Sequence, residues 1–190
     1  MRSIRGRGRD AGRLAPGVRA RAATVVIAGL ALLAAGCGSS DDPAAITPSG
    51  RLPKGNERVR LDPANFTTDI DNPYSPMKPG SQWVYSATGG GGPPERDVIM
   101  VTNQTKVVAG ITARVVHDRA TRGSEIVEDT DDWLAQDRAG NIWYLGEATQ
   151  AYDEGKPGST GGSREAGTHG AQAGILVPAG PRAGMEYRQE

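Results

Sequence analysis

Acidic side chains crowd one stretch of this 190-residue chain: Glu125, Glu128, Asp129, Asp131 and Asp132 fall within eight residues. Beyond them lie two apolar runs, Trp133-Leu-Ala-Gln-Asp137 and Asn141-Ile-Trp-Tyr-Leu145, around Arg138-Ala-Gly140, and then Glu147. A three-residue loop ending in glycine between two such runs is the pattern of a hairpin whose glycine takes positive φ. Pairing Asp137 with Asn141 sets Ala135 against Trp143, Leu134 against Tyr144 and Trp133 against Leu145. Asp131 then faces Glu147, whereas a loop longer by one residue brings Asp132 to that place. In both registers a carboxylate opposes a carboxylate, which is destabilising without compensation. Solvation at a frayed hairpin end is one remedy. A shared proton with one raised pKa is a second, and Ca2+ held by oxygen ligands is a third. The same pair could serve as general acid and base in a hydrolase. Asp131, Asp132 and Glu147 are therefore the candidate catalytic or calcium-binding residues, with solvation the simplest reading; no cofactor is otherwise expected.

Other chemistry is sparse. Trp83, Tyr85, Trp143 and Tyr144, with Trp133, could line a small apolar ligand cavity, although alternating aromatics usually form plain core. Only two histidines are present, His117 on a strand-like run and His169 in a glycine-rich loop, which argues against a multi-histidine zinc site. No Gly-x-Ser-x-Gly elbow occurs, and the run Gly89–Gly92 lacks the Gly-Lys-Ser/Thr of a phosphate cradle. Asp69-Ile-Asp-Asn72 alternates oxygens without the glycine and distal glutamate of a calcium loop, so turn capping explains it better.

Cys37 is the only cysteine. Seven arginines precede it in the first 21 residues, followed by the uncharged stretch Ala22–Ala35 and Gly36. A positive start, a short apolar run and small residues before a cut site make an export signal. The apolar run is shorter than the roughly 20 residues that span a bilayer. Leu33-Ala-Ala-Gly-Cys37 resembles the bacterial lipobox, which implies cleavage after residue 36 and lipidation of Cys37. Several acyl chains, at about 0.8 kcal/mol per buried methylene, would anchor the protein firmly. The alternative is ordinary secretion with a free thiol.

Removing residues 1–36 takes away 7 of 22 basic and 1 of 22 acidic side chains, leaving 15 against 21. A mildly acidic exported domain has no electrostatic case for nucleic acid. Residues 37–68 have too little apolar content to offset ordering and are expected to be a lipid-anchored flexible tether. Residues 69–190 are expected to be the β-rich domain.

That domain opens on a proline-dense lead-in, 69–80, unsuited to a central strand. Strands are expected at Ser81–Ala87, Arg96–Val108, Ile111–Asp118, on both sides of the hairpin, at Gly174–Pro178 and from Met185 onward. Both faces of the hairpin are apolar, so it should be buried on two sides. The expected fold class is all-β, an antiparallel meander forming a sandwich or partly closed barrel. The last run stops without a turn or partner, which suggests truncation at Glu190.

Three blocks extend the reading: Asn72-Pro-Tyr-Ser-Pro-Met-Lys-Pro-Gly-Ser-Gln-Trp-Val-Tyr85, residues 128–147, and residues 166–181 with Tyr187-Arg-Gln-Glu190. Together they resemble a group of uncharacterised exported bacterial proteins of lipoprotein type, whose members usually continue past the tyrosine block. The chain departs from the group at Ser75 and Arg164, where an aromatic is common. The resemblance implies an extracytoplasmic β-rich domain and carries over no catalytic residue. The expected function is thus a membrane-anchored extracytoplasmic binding or structural module. Its partner would be a small molecule or a cell-envelope component; a hydrolase built on the cross-strand carboxylates is the alternative.

Overall fold

The computed structural model describes residues 51–88 and 93–189, so Cys37, the leader, the first part of the expected tether and the glycine run lie outside the described residues. Among the described residues nine strands follow in order: β1 (Phe66–Thr67), β2 (Gln82–Ala87), β3 (Glu95–Val108), β4 (Ile111–Arg122), β5 (Glu125–Asp137), β6 (Ile142–Asp153), β7 (Lys156–Pro157), β8 (Arg164–Glu165) and β9 (Gly174–Val177). One 3-10 turn, Pro63–Asn65, precedes them; the Asp62 carboxylate caps it by accepting from the Ala64 amide at 3.0 Å.

The strands form one antiparallel sheet along the path β2-β3-β4-β5-β6. β1 pairs with the end of β5, opposite Gln136 and Asp137. The outer edge of β6 is tiled in three short pieces: β9 against Ile142–Tyr144, β8 against Gly146 and Glu147, and β7 against Tyr152 and Asp153. That tiling occupies the edge a barrel would need for closure, and among the described residues β2 pairs only with β3, so the sheet stays open. The all-β antiparallel expectation holds, whereas the expected sandwich or partly closed barrel is corrected to one open sheet.

Strand alternation splits the core into two layers. On the first face Val115, Trp133, Ala135, Trp143 and Leu145 are buried; on the second, Val101, Val116, Leu134 and Ile142. Burial of the hairpin on both sides holds as expected, but irregular chain supplies the covering layers. Leu52, Val59, Leu61, Phe66 and Tyr187 cover the first face, with Phe66 meeting Trp143 edge to face at 6.0 Å. Ile70 and Met77 cover the second.

Two boundaries move as a result. Residues 51–68 belong to the folded layer, although the whole segment 37–68 reads as tether from composition. Its few apolar side chains each land on the Trp133–Trp143 face, contributing roughly 1 kcal/mol or more apiece. The run after Met185 is not a strand lacking a partner. The Arg188 carbonyl accepts from Ile175 N at 2.8 Å, and its amide donates to Pro53 O at 2.6 Å. The Arg188 guanidinium adds bonds to Gly55 O, Glu57 O and Ala173 O, which stitches the two ends of the described chain together.

A pocket at the hairpin bulge

The hairpin turn forms as its residues dictate. Gly140 has φ of 92°, and the buried Asp137 carboxylate organises the loop. It accepts from Ala139 N, Asn141 N, Asn141 Nδ2 and Trp143 Nε1, all at 2.8–2.9 Å. Gln136 and Asn72 lock the proline-rich lead-in onto this turn: Gln136 Oε1 accepts from Asp71 N and Asn72 N, and Asn72 Nδ2 donates to Gly140 O at 2.7 Å. The Asp71 and Asn72 side-chain oxygens thus serve docking and turn bonds, Gln136 Nε2 donating to Asp71 Oδ1 at 2.6 Å and Tyr74 N to Asn72 Oδ1 at 2.9 Å.

Pairing then runs Ala135↔Trp143 and Leu134↔Tyr144, as the sequence suggested, but a bulge intervenes. Trp133 pairs with Gly146, so Leu145 is the extra residue and the Trp133–Leu145 expectation is corrected. Asp132, rather than Asp131, now faces Glu147. The shift comes from within β6 and not from a longer loop. Gly146 makes it possible, with φ of 138° and no room for a side chain: a Cβ there would lie 2.2 Å from Arg164 O on β8. Because the bulge resets the alternation, Tyr144 and Glu147 project from the same face although they are three residues apart.

On that second face a pocket of about 330 Å³ opens. Met77, Ile99, Val116, Leu134 and Leu176 form its apolar lining. Asp132, Tyr144, Glu147 and Gln189 supply the polar part. The Tyr144 hydroxyl donates to Asp132 Oδ1 at 2.6 Å. Glu147 Oε2 accepts from Thr149 Oγ1 at 3.1 Å, and Arg164 Nε stands 3.9 Å from Glu147 Oε1. The Arg164 guanidinium also lies over the Tyr144 ring, 4.7 Å from its centroid.

Electrostatics follow from burial. Desolvation pushes Asp132 up to about 6, opposed by the Tyr144 hydrogen bond and reinforced by Glu147, Asp131 and Glu128. The Tyr144 phenol is raised above its ordinary value by burial and by the Asp132 carboxylate. Further along the same face, burial and then Asp97 push Asp118 up to about 8, with Asp132 and Glu128 adding to the effect. A proton shared between Asp118 and Asp97 would satisfy Asp97 Oδ1, a buried oxygen that meets no other donor among the described residues.

The opposite face holds a different constellation. His117 Nδ1 lies 2.8 Å from Asp131 Oδ1, and its Nε2 lies 2.9 Å from Asp129 Oδ1. Asp129 also pairs with Arg119 at 2.6 Å. The sheet itself thus separates Asp131 and His117 from Asp132 and Glu147. Among the four candidate aromatics, Tyr144 alone lines the pocket. Trp143 is 1% exposed in the first layer, Trp83 packs partly buried against the second core, and Tyr85 is 54% exposed. His169 is exposed beside Trp133. Among the described residues no three acidic, histidine or cysteine side chains are grouped as a metal site.

Asp97 and Asp118 are not singled out from the sequence, and Arg164 stands out there only as a departure from the resembling group. Strand alternation places Asp97 with Val101 and Asp118 with Val116, which is a usable signal. Their juxtaposition depends on an irregularity between Val101 and Thr105 that shifts the β3–β4 register. Comparison with family models, with curated proteins and with solved structures gives no match, so the fold and the pocket rest on their own geometry.

Proposed function

We propose that this is an exported bacterial lipoprotein, anchored through Cys37, whose β domain binds a small molecule outside the cytoplasm. The anchor rests on the arginine-rich leader, the short apolar run and the lipobox-like Leu33–Cys37. The observation that carries the binding reading is the second-face pocket, with a predominantly apolar lining and a few polar groups at one side. Such a combination is what small-molecule sites use, the apolar part for affinity and the polar part for orientation. Its volume of about 330 Å³ falls at the lower end of the usual range.

The hydrolase alternative draws on the raised pKa of Asp132 beside Glu147. It loses its histidine, because His117 is engaged by Asp131 and Asp129 on the other face. Binding without chemistry is the better account.

Native mass spectrometry of the purified chain after exposure to cell extract tests the binding half. A stoichiometric adduct that is lost in Val116→Trp, which fills the pocket, supports it; an adduct unaffected by that substitution refutes it. Fractionation tests the anchor: Cys37→Ala should leave the membrane fraction, and retention there overturns lipidation.

A further inference from the structure

We propose that the pocket takes a small organic cation, a primary ammonium carried on an apolar body. The inference deepens the binding reading and rests on it. Three observations support the ligand class. First, the polar part of the pocket carries two carboxylates, Asp132 and Glu147, directly paired across β5 and β6. Apposed acids destabilise an empty pocket, and a ligand cation placed between them reverses that cost. Second, the tyrosine proton that could have greeted an anion is already given to Asp132 Oδ1 at 2.6 Å. Arg164 is turned to Glu147 and the Tyr144 ring. A carboxylate or phosphate ligand would add negative charge where Asp132 and Glu147 already stand. Third, apart from Gln189 the remaining lining is aliphatic or thioether, so the body of the ligand must be largely apolar. An ammonium brings three donors and no acceptor, matching an acceptor-rich wall.

The test uses the chain as isolated from cells, labelled for NMR, and three probes of nearly equal shape: 2-phenylethylammonium, 2-phenylethanol and 3-phenylpropionate. The expected result is saturable shifts at Leu134 and Tyr144, with the ammonium at least tenfold tighter than the alcohol and no binding by the propionate. Asp132→Asn should remove the preference for ammonium, and Glu147→Gln should weaken it. Both variants retain a hydrogen-bonding side chain of the same shape, and an unchanged spectrum outside the pocket verifies that they fold. Equal or tighter binding of the alcohol or propionate at the same residues overturns the ligand class while leaving a binding pocket. No shift with any probe overturns the class and the pocket together. An ammonium preference that survives both substitutions overturns the assignment to these carboxylates.

Discussion

Replacing Asp132 by asparagine should make this protein more stable at neutral pH. The folded-state pKa of about 6 exceeds the ordinary aspartate value of 3.8 by roughly two units, at about 1.36 kcal/mol per unit. Between those values the native state binds more protons than the unfolded chain, so stability falls as pH rises through the window. Above pH 7 the ionised side chain costs the fold on the order of 2–3 kcal/mol relative to its protonated form. Asparagine keeps an acceptor for the Tyr144 hydroxyl and removes the charge opposite Glu147. Urea unfolding at pH 4 and pH 7.5 is the assay. The parent should lose about 2–3 kcal/mol between the two from this group, and the variant should not. At pH 7.5 the variant should gain about 2 kcal/mol, or roughly 4–8 °C in Tm for a domain of this size. A variant less stable than the parent at pH 7.5, or one that keeps the full pH dependence, refutes the reasoning.

Three further outcomes are expected. Gly146→Ala forces a Cβ against Arg164 O and should cost about 3 kcal/mol or more, with loss of probe shifts at Tyr144, read by thermal melting and NMR. Asp137→Ala leaves the buried Trp143 indole N–H and the turn amides without their acceptor; a loss of about 3–5 kcal/mol and a shifted tryptophan emission should follow. Asp118→Asn should abolish a fall in stability as pH rises from about 4 to about 8, between its ordinary and raised pKa, in melts from pH 5 to 9.

Local chemistry was legible in the sequence, and close approach between distant segments was not. The turn at Arg138-Ala-Gly140 and the pairs Ala135–Trp143 and Leu134–Tyr144 follow from side chains within a few residues of one another. The bulge at Leu145 depends on β8 lying against Gly146, a contact with a segment almost twenty residues on. Asp132 opposite Glu147 was therefore open as an alternative, but its cause was out of reach. The folded lead-in shows the same limit. Leu52, Val59 and Leu61 are too few to order a segment by themselves, and what orders them is the aromatic face of a sheet that alternation alone does not show to be uncovered. Two-sided burial of the hairpin was foreseeable because both of its faces are apolar; that loops rather than a second sheet would supply the cover was not.

The Arg188 clasp has a mechanical consequence. Tension entering the domain upstream of Leu52 reaches Pro53, Gly55 and Glu57 first, and all three carbonyls are gripped by one residue near the far end of the chain. The load is shared there by several bonds pulled together, before it can reach the ladder between β5 and β6. Pulling there would strip the outer wrapping and leave the ribbon behind it, with its cleft on the other side, undeformed.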